Sequence, residues 1–135
     1  MKEVTVDAKV ESIGAVTDFV NAELEAWGCP MKAQIQIDVA IDELFSNIAH
    51  YAYNGQSGTA TVRIELIKSI PAIEITFIDR GMPYDPLVKD DPDVTLSALD
   101  RQAGGLGIFL VKKTMDKMTY EFKNGQNIVR ILKKI

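Results

Sequence analysis

The stretch from Met31 to Tyr51 constrains the fold most. Ile35, Ile37, Val39, Ile41, Leu44, Phe45 and Ile48 recur along it at helical spacing. The helix they predict is apolar over much of its circumference, so it must be largely buried against a second layer. Strand patterns surround it. Residues 3 to 10 alternate, with Val4, Val6, Ala8 and Val10 on one parity, which predicts a strand. Ser12 suits the cap of a helix carrying Ile13, Val16, Phe19, Val20, Leu24 and Trp27. Gly28 suits that helix's C-terminal cap, and Pro30 the first turn of the next. After the turn Asn54-Gly55-Gln56-Ser57-Gly58, Thr59 to Lys68 and Ala72 to Asp79 read as a hairpin closed by Ser69-Ile70-Pro71. Gly104-Gly105-Leu106-Gly107 opens a third helix to about Asp116. Met118 to Lys123 and Ile128 to Lys133 flank Asn124-Gly125-Gln126-Asn127 as a second hairpin. Five strands and three helices, the last two strands adjacent, predict an α+β two-layer sandwich. Its sheet is mixed and mostly antiparallel, with the helices on one face. The 135 residues suit a single domain, 1–135.

Composition narrows the function classes. The net charge of −4 argues against nucleic acid and anionic membrane as partners. One cysteine, Cys29, leaves no intrachain disulfide and no cysteine-based metal site. No window approaches a membrane span, and Met1 to Val6 does not begin a signal peptide, so a cytoplasmic protein is expected.

Three features could carry chemistry. Glu43 and Asn47, four residues apart, share a face of the predicted helix. Polar groups on a buried helix need a partner; taken alone, the pair also reads as an exposed, solvated stripe. His50, seven residues beyond Glu43, falls on the same face, where it pairs with Glu43 or caps the polar stripe. The second feature is Asp79-Arg80-Gly81, after the apolar run Ile75 to Ile78. A carboxylate at a strand end beside glycine can accept a hydrogen bond from an amino group, though Asp-x-Gly turns are common. The third is Gly104-Gly105-Leu106-Gly107, where glycines at a helix start expose N–H groups that suit an anion. A hinge fits that motif equally well. It lacks the ending of a P-loop and the βαβ surroundings of a dinucleotide fingerprint. Between the second and third features, Arg80 to Ala103 shows no periodicity and is acidic and proline-punctuated, as functional loops often are.

The order of the three features resembles the GHKL, or Bergerat-fold, ATP-binding family, and within it the stand-alone anti-sigma-factor serine/threonine kinases. Glu43 and Asn47 match the N-box, Asp79 and Gly81 the first glycine box, and Gly105 and Gly107 the second. The resemblance covers nearly the whole chain. It implies ATP and Mg²⁺ as cofactors. Asn47 would ligate Mg²⁺, Glu43 would be the general base, and Asp79 would accept the adenine amino hydrogen. Gly104, Gly105, Leu106 and Gly107 would hold the phosphates, and residues 80–103 would form a lid. From its place on the helix face, apart from the resemblance, His50 is expected to support the nucleotide site indirectly. The implied activity is serine/threonine phosphorylation of an anti-sigma antagonist, with a sigma factor as second partner and a homodimer by the habit of that branch. A catalytically idle nucleotide-responsive module and a histidine-kinase catalytic fragment are the alternatives. Some positions depart from the family. Gln102 and Ala103 stand where related kinases often carry an arginine, with Arg101 as the nearest substitute towards the γ-phosphate. Pro83 replaces a second glycine, and Asn127 stands near a common threonine.

Overall fold

The computed structural model describes residues 1–88 and 105–135. Its sheet has five strands: β1 (Lys2–Asp7), β2 (Thr59–Ile67), β3 (Ala72–Asp79), β4 (Lys117–Lys123) and β5 (Gln126–Lys134). Three α-helices cover one face among the described residues: α1 (Ile13–Ala26), α2 (Met31–Asn47) and α3 (Gly105–Thr114). The strand order is β1-β2-β3-β5-β4, and every ladder is antiparallel. The predicted α+β sandwich is therefore present, with a wholly antiparallel sheet.

Alternation decides which side chains meet the helices. Val62 and Ile64 of β2, Ile73, Ile75 and Phe77 of β3, and Val129 and Ile131 of β5 point inward. They meet Val16, Val20 and Leu24 of α1, Ile37, Ile41, Leu44 and Phe45 of α2, and Ile108 and Val111 of α3. The long crossover after β3 lets β5 insert beside it and leaves β4 at the edge. The resulting register places Asn127 opposite Asp79. No helix among the described residues is long and apolar enough to cross a membrane.

Local departures have local causes. The first strand stops at Asp7, and Val10 opens a short 3₁₀ turn with its side chain exposed. Ser12 precedes α1 but its hydroxyl makes no capping bond. Gly28 does take the left-handed conformation after α1, at φ 69°. Pro30 sits just before α2, where its carbonyl accepts from Gln34 N at 3.0 Å. The expected α-helix to Tyr51 ends instead at Asn47 and continues as one π-turn, Ile48–Ala52. Nor is α2 buried all round. Met31, Ile35 and Val39 form an open stripe at 69%, 55% and 41% exposure, because α1, α3 and the sheet cover only the other sides.

Candidate functional site

The site lies where the end of α2 meets the ends of β3 and β5. A mostly apolar cavity is walled there by Leu44, Asn47, Ile48 and Tyr51 from α2 and its π-turn. Phe77 and Asp79 come from β3, Met82 and Tyr84 from the following loop, and Asn127 and Val129 from β5. Such a cavity with one carboxylate suits a flat, largely apolar ligand bearing a polar edge.

Asp79 ends a strand buried on both faces and is itself only 6% exposed. Its Oδ1 accepts from Gly81 N at 2.9 Å and from Asn127 Nδ2 at 2.9 Å. Asn127, 4% exposed, is saturated. Its Nδ2 also donates to Met82 O at 2.9 Å, and its Oδ1 accepts from Tyr84 N at 3.1 Å and Tyr120 OH at 2.5 Å. One amide thus ties together two strand ends and the loop that walls the cavity.

Burial pushes the Asp79 carboxyl above its usual range, against the pull of the two donors from Asn127 and Gly81. In the unfolded chain the group titrates at about 3.9. Folding therefore favours its protonated form, and stability is lost as pH rises through the raised value. Asp79→Asn keeps an oxygen for both donors and removes the buried charge. The variant is expected to melt above the wild type at neutral pH, with the gap closing as pH falls towards about 4. Thermal melts across that range check this; a gap independent of pH would count against it.

Gly81 permits a contact that no other residue allows. A Cβ there would lie 2.0 Å from Ala52 O, and the adjacent Met82 N donates to that same carbonyl at 2.7 Å. The π-turn delivers Ala52 O to this point, in keeping with the frequency of π-bulges at functional sites. Tyr53 braces the junction: its hydroxyl accepts from Arg80 N at 2.9 Å and donates to Thr59 O at 2.5 Å.

On the neighbouring side, Glu43 and Asn47 sit one turn apart on α2. A Cβ on Gly107 would fall 1.9 Å from Glu43 Oε2, so the first turn of α3 is seated against the Glu43 carboxylate. Burial, and then the adjacent Asp42 charge, raise the Glu43 carboxyl above its ordinary value, which makes it a better base than a surface glutamate. The Asn47 amide has a buried nitrogen with no hydrogen-bond partner. An orphaned buried amide is costly unless a ligand satisfies it. No cluster of three or more His, Cys, Asp or Glu able to hold a metal exists among the described residues. The orphaned nitrogen is a hydrogen-bond donor and suits an oxygen of a bound ligand, while the oxygen of the same amide is a hard donor suited to Mg²⁺, which needs few protein ligands when phosphates and water supply the rest.

The structure thus brings Glu43, Asn47, Asp79, Gly81 and Gly107 to one end of the molecule, with Gly105 and Leu106 in the first turn of α3. It does not bring His50 to Glu43. His50 is exposed on the π-turn, with its ring 6.1 Å from that of Tyr51, because the wider turn rotates it off the α-helical face. Arg101, Gly104 and most of the expected lid lie outside the described residues. Sequence reasoning missed Tyr51 and Tyr84, whose rings stack at 5.5 Å and 23° beside the cavity. Tyr51 is four residues after Asn47, so helical spacing alone could have flagged it. The sequence pattern places Asn127 in a turn. The turn itself is Asn124-Gly125, at φ 54° and 76°, and Asn127 is already strand.

An antiparallel sheet with one helical face, a carboxylate-floored cavity and a glycine-started helix seated on a glutamate define a GHKL-type nucleotide-binding domain. The chain belongs to the histidine kinase-like ATPase domain family, which matches residues 6–133. It is similar to the serine-protein kinase RsbW of Halalkalibacterium halodurans, 29% identical over 136 residues, covering 98% of this chain and 81% of that protein. The serine-protein kinase RsbW of Oceanobacillus iheyensis is 26% identical over 134 residues, covering 94% and 82%. The serine/threonine-protein kinase BtrW of Bordetella bronchiseptica is 25% identical over 96 residues, covering 71% and 67%. Among solved structures, the histidine kinase domain of a blue-light activated histidine kinase from Erythrobacter litoralis shares the fold. Its TM-score is 0.58 at 16% identity, over 93% of this chain and 60% of that one.

Proposed function

We propose that this protein is an ATP- and Mg²⁺-dependent serine/threonine kinase that phosphorylates an anti-sigma antagonist and also binds a sigma factor. The observation that carries the reading is the half-buried Glu43 carboxylate seated against the first turn of α3, with the Asn47 amide, its nitrogen without a partner, one turn away. The names of the RsbW and BtrW relatives support it. Action in the cytoplasm as a homodimer belongs to the same reading.

Each residue has a chemical task in it. Asp79 accepts a hydrogen bond from the adenine amino group at the cavity floor, while Phe77, Leu44 and Tyr51 provide apolar contact for the ring. Backbone N–H groups in the first turn of α3 hold phosphate oxygens. Asn47 Oδ1 holds the metal, and the bound ion would supply charge neutralisation across the phosphates. Glu43 takes the proton from the acceptor serine as its oxygen attacks the γ-phosphorus; the bond to the bridging oxygen breaks and ADP leaves. Positioning and charge balance carry such a transfer.

Incubating the protein with ATP, Mg²⁺ and a candidate antagonist tests the proposal. Phosphoserine should form with the wild type and be lost with Glu43→Ala. ATP binding with no transfer to any antagonist would replace this reading by an idle nucleotide-responsive module. Absence of ATP binding would remove both.

A further inference from the structure

The base site contains a device that the nucleotide-binding reading does not require. A carboxylate has two equivalent oxygens and can usually turn either to a ligand. Asp79 cannot, because Gly81 N and Asn127 Nδ2 both donate to Oδ1. The Asn127 amide is locked in turn. Tyr84 N is a backbone donor, so the atom it meets must be the Asn127 oxygen, and the amide nitrogen is then the atom that faces Asp79. Met82 O, an obligate acceptor at 2.9 Å from Nδ2, enforces the same orientation. Asp79 lines the cavity, and with Oδ1 held by the protein, Oδ2 is the atom left for a ligand.

We infer that Asn127 is a positioning residue for base selection: together with Gly81 N it pins Oδ1 of Asp79, so that the atom at position 79 facing the cavity sets which purine is accepted. The inference rests on the nucleotide reading above. With aspartate at 79 the cavity presents an acceptor, which suits the six-amino group of adenine and repels the six-oxo group of hypoxanthine. With asparagine at 79 the same two donors would hold its oxygen on the protein side and drive its NH₂ into the cavity. The opposite rotamer would set an NH₂ against both donors, and unmatched buried hydrogen bonds disfavour it by about tenfold each. Asp79→Asn therefore reverses the polarity of the site rather than blurring it.

The test measures binding of ATP and ITP, with Mg²⁺, to four proteins: wild type, Asp79→Asn, Asn127→Ala and the double variant. The wild type should prefer ATP, and Asp79→Asn should prefer ITP, each by about tenfold or more. In the double variant the ITP preference should fall by about tenfold, because one of the two pins is gone while Gly81 N remains. Asn127→Ala alone should weaken both nucleotides while keeping the ATP preference, since a carboxylate accepts with either oxygen. A purely structural role for Asn127 would lower both affinities in the double variant without moving their ratio, and that result overturns the inference. So does an Asp79→Asn variant, folded by its melting curve, that still favours ATP or favours neither. Failure of the wild type to bind ATP would instead overturn the nucleotide reading itself.

Discussion

Replacing Glu43 by glutamine is expected to lower phosphoserine formation by a factor of about 10²–10⁴, the usual contribution of a positioned general base. Glutamine keeps the length of the side chain and its seat against Gly107 but cannot accept the hydroxyl proton. Nucleotide affinity should hold or improve, since a negative charge near the phosphates is removed. The pH profile gives a second readout. Burial and Asp42 raise the Glu43 carboxyl, so the wild-type rate should climb as that group ionises, over a range above that of an ordinary carboxylate. In Glu43→Gln this limb should vanish. Initial rates with the antagonist across pH, beside ATP titrations, check both parts. A variant that keeps the wild-type rate would show that Glu43 is not the base.

Gly81→Ala should damage the fold and the site together. The added methyl would meet Ala52 O at 2.0 Å and its carbonyl carbon at 2.4 Å. These are backbone atoms held by the π-turn, so relief requires moving the β3 exit or the turn. Either movement strains the Met82 N to Ala52 O bond and shifts the Gly81 N–H that donates to Asp79. Overpacking of this kind costs about 1–3 kcal/mol, a fall in Tm of several degrees for a domain of this size. ATP affinity should fall on the order of tenfold as Asp79 loses a donor and the cavity wall moves. Gly107 differs, because the atoms around its missing Cβ belong to the end of the flexible Glu43 side chain, which can swing away. Calorimetric melting and nucleotide titration of Gly81→Ala measure both effects, and wild-type values in both would mean the close approach at Ala52 is not needed.

Local chemistry was readable along the chain. Periodicity located each described helix and strand to within a few residues, since side-chain spacing reports which face is buried. Turn chemistry located the Asn124-Gly125 reversal, and the order of Glu43, Asn47, Asp79, Gly81, Gly105 and Gly107 singled out residues that the fold gathers at one end. Where such reasoning erred, a distant contact was in control. The exposed stripe of Met31, Ile35 and Val39 looked like core because periodicity cannot say how many sides of a helix are covered. His50 looked like a companion of Glu43 because α-helical spacing cannot anticipate a π-turn.

An α+β chain with a polar pair on its central helix, a carboxylate closing an apolar strand, and glycines at the start of a late helix follows from residue order and spacing. How these groups act depends on long-range packing. Insertion of β5 beside β3 sets Asn127 against Asp79, and the π-turn carries Ala52 O onto Gly81. Packing of α3 on α2 seats Gly107 against Glu43. Each of these contacts joins residues far apart in the chain, and the hydrogen bonds and close packing that select them exist only once the layers have come together.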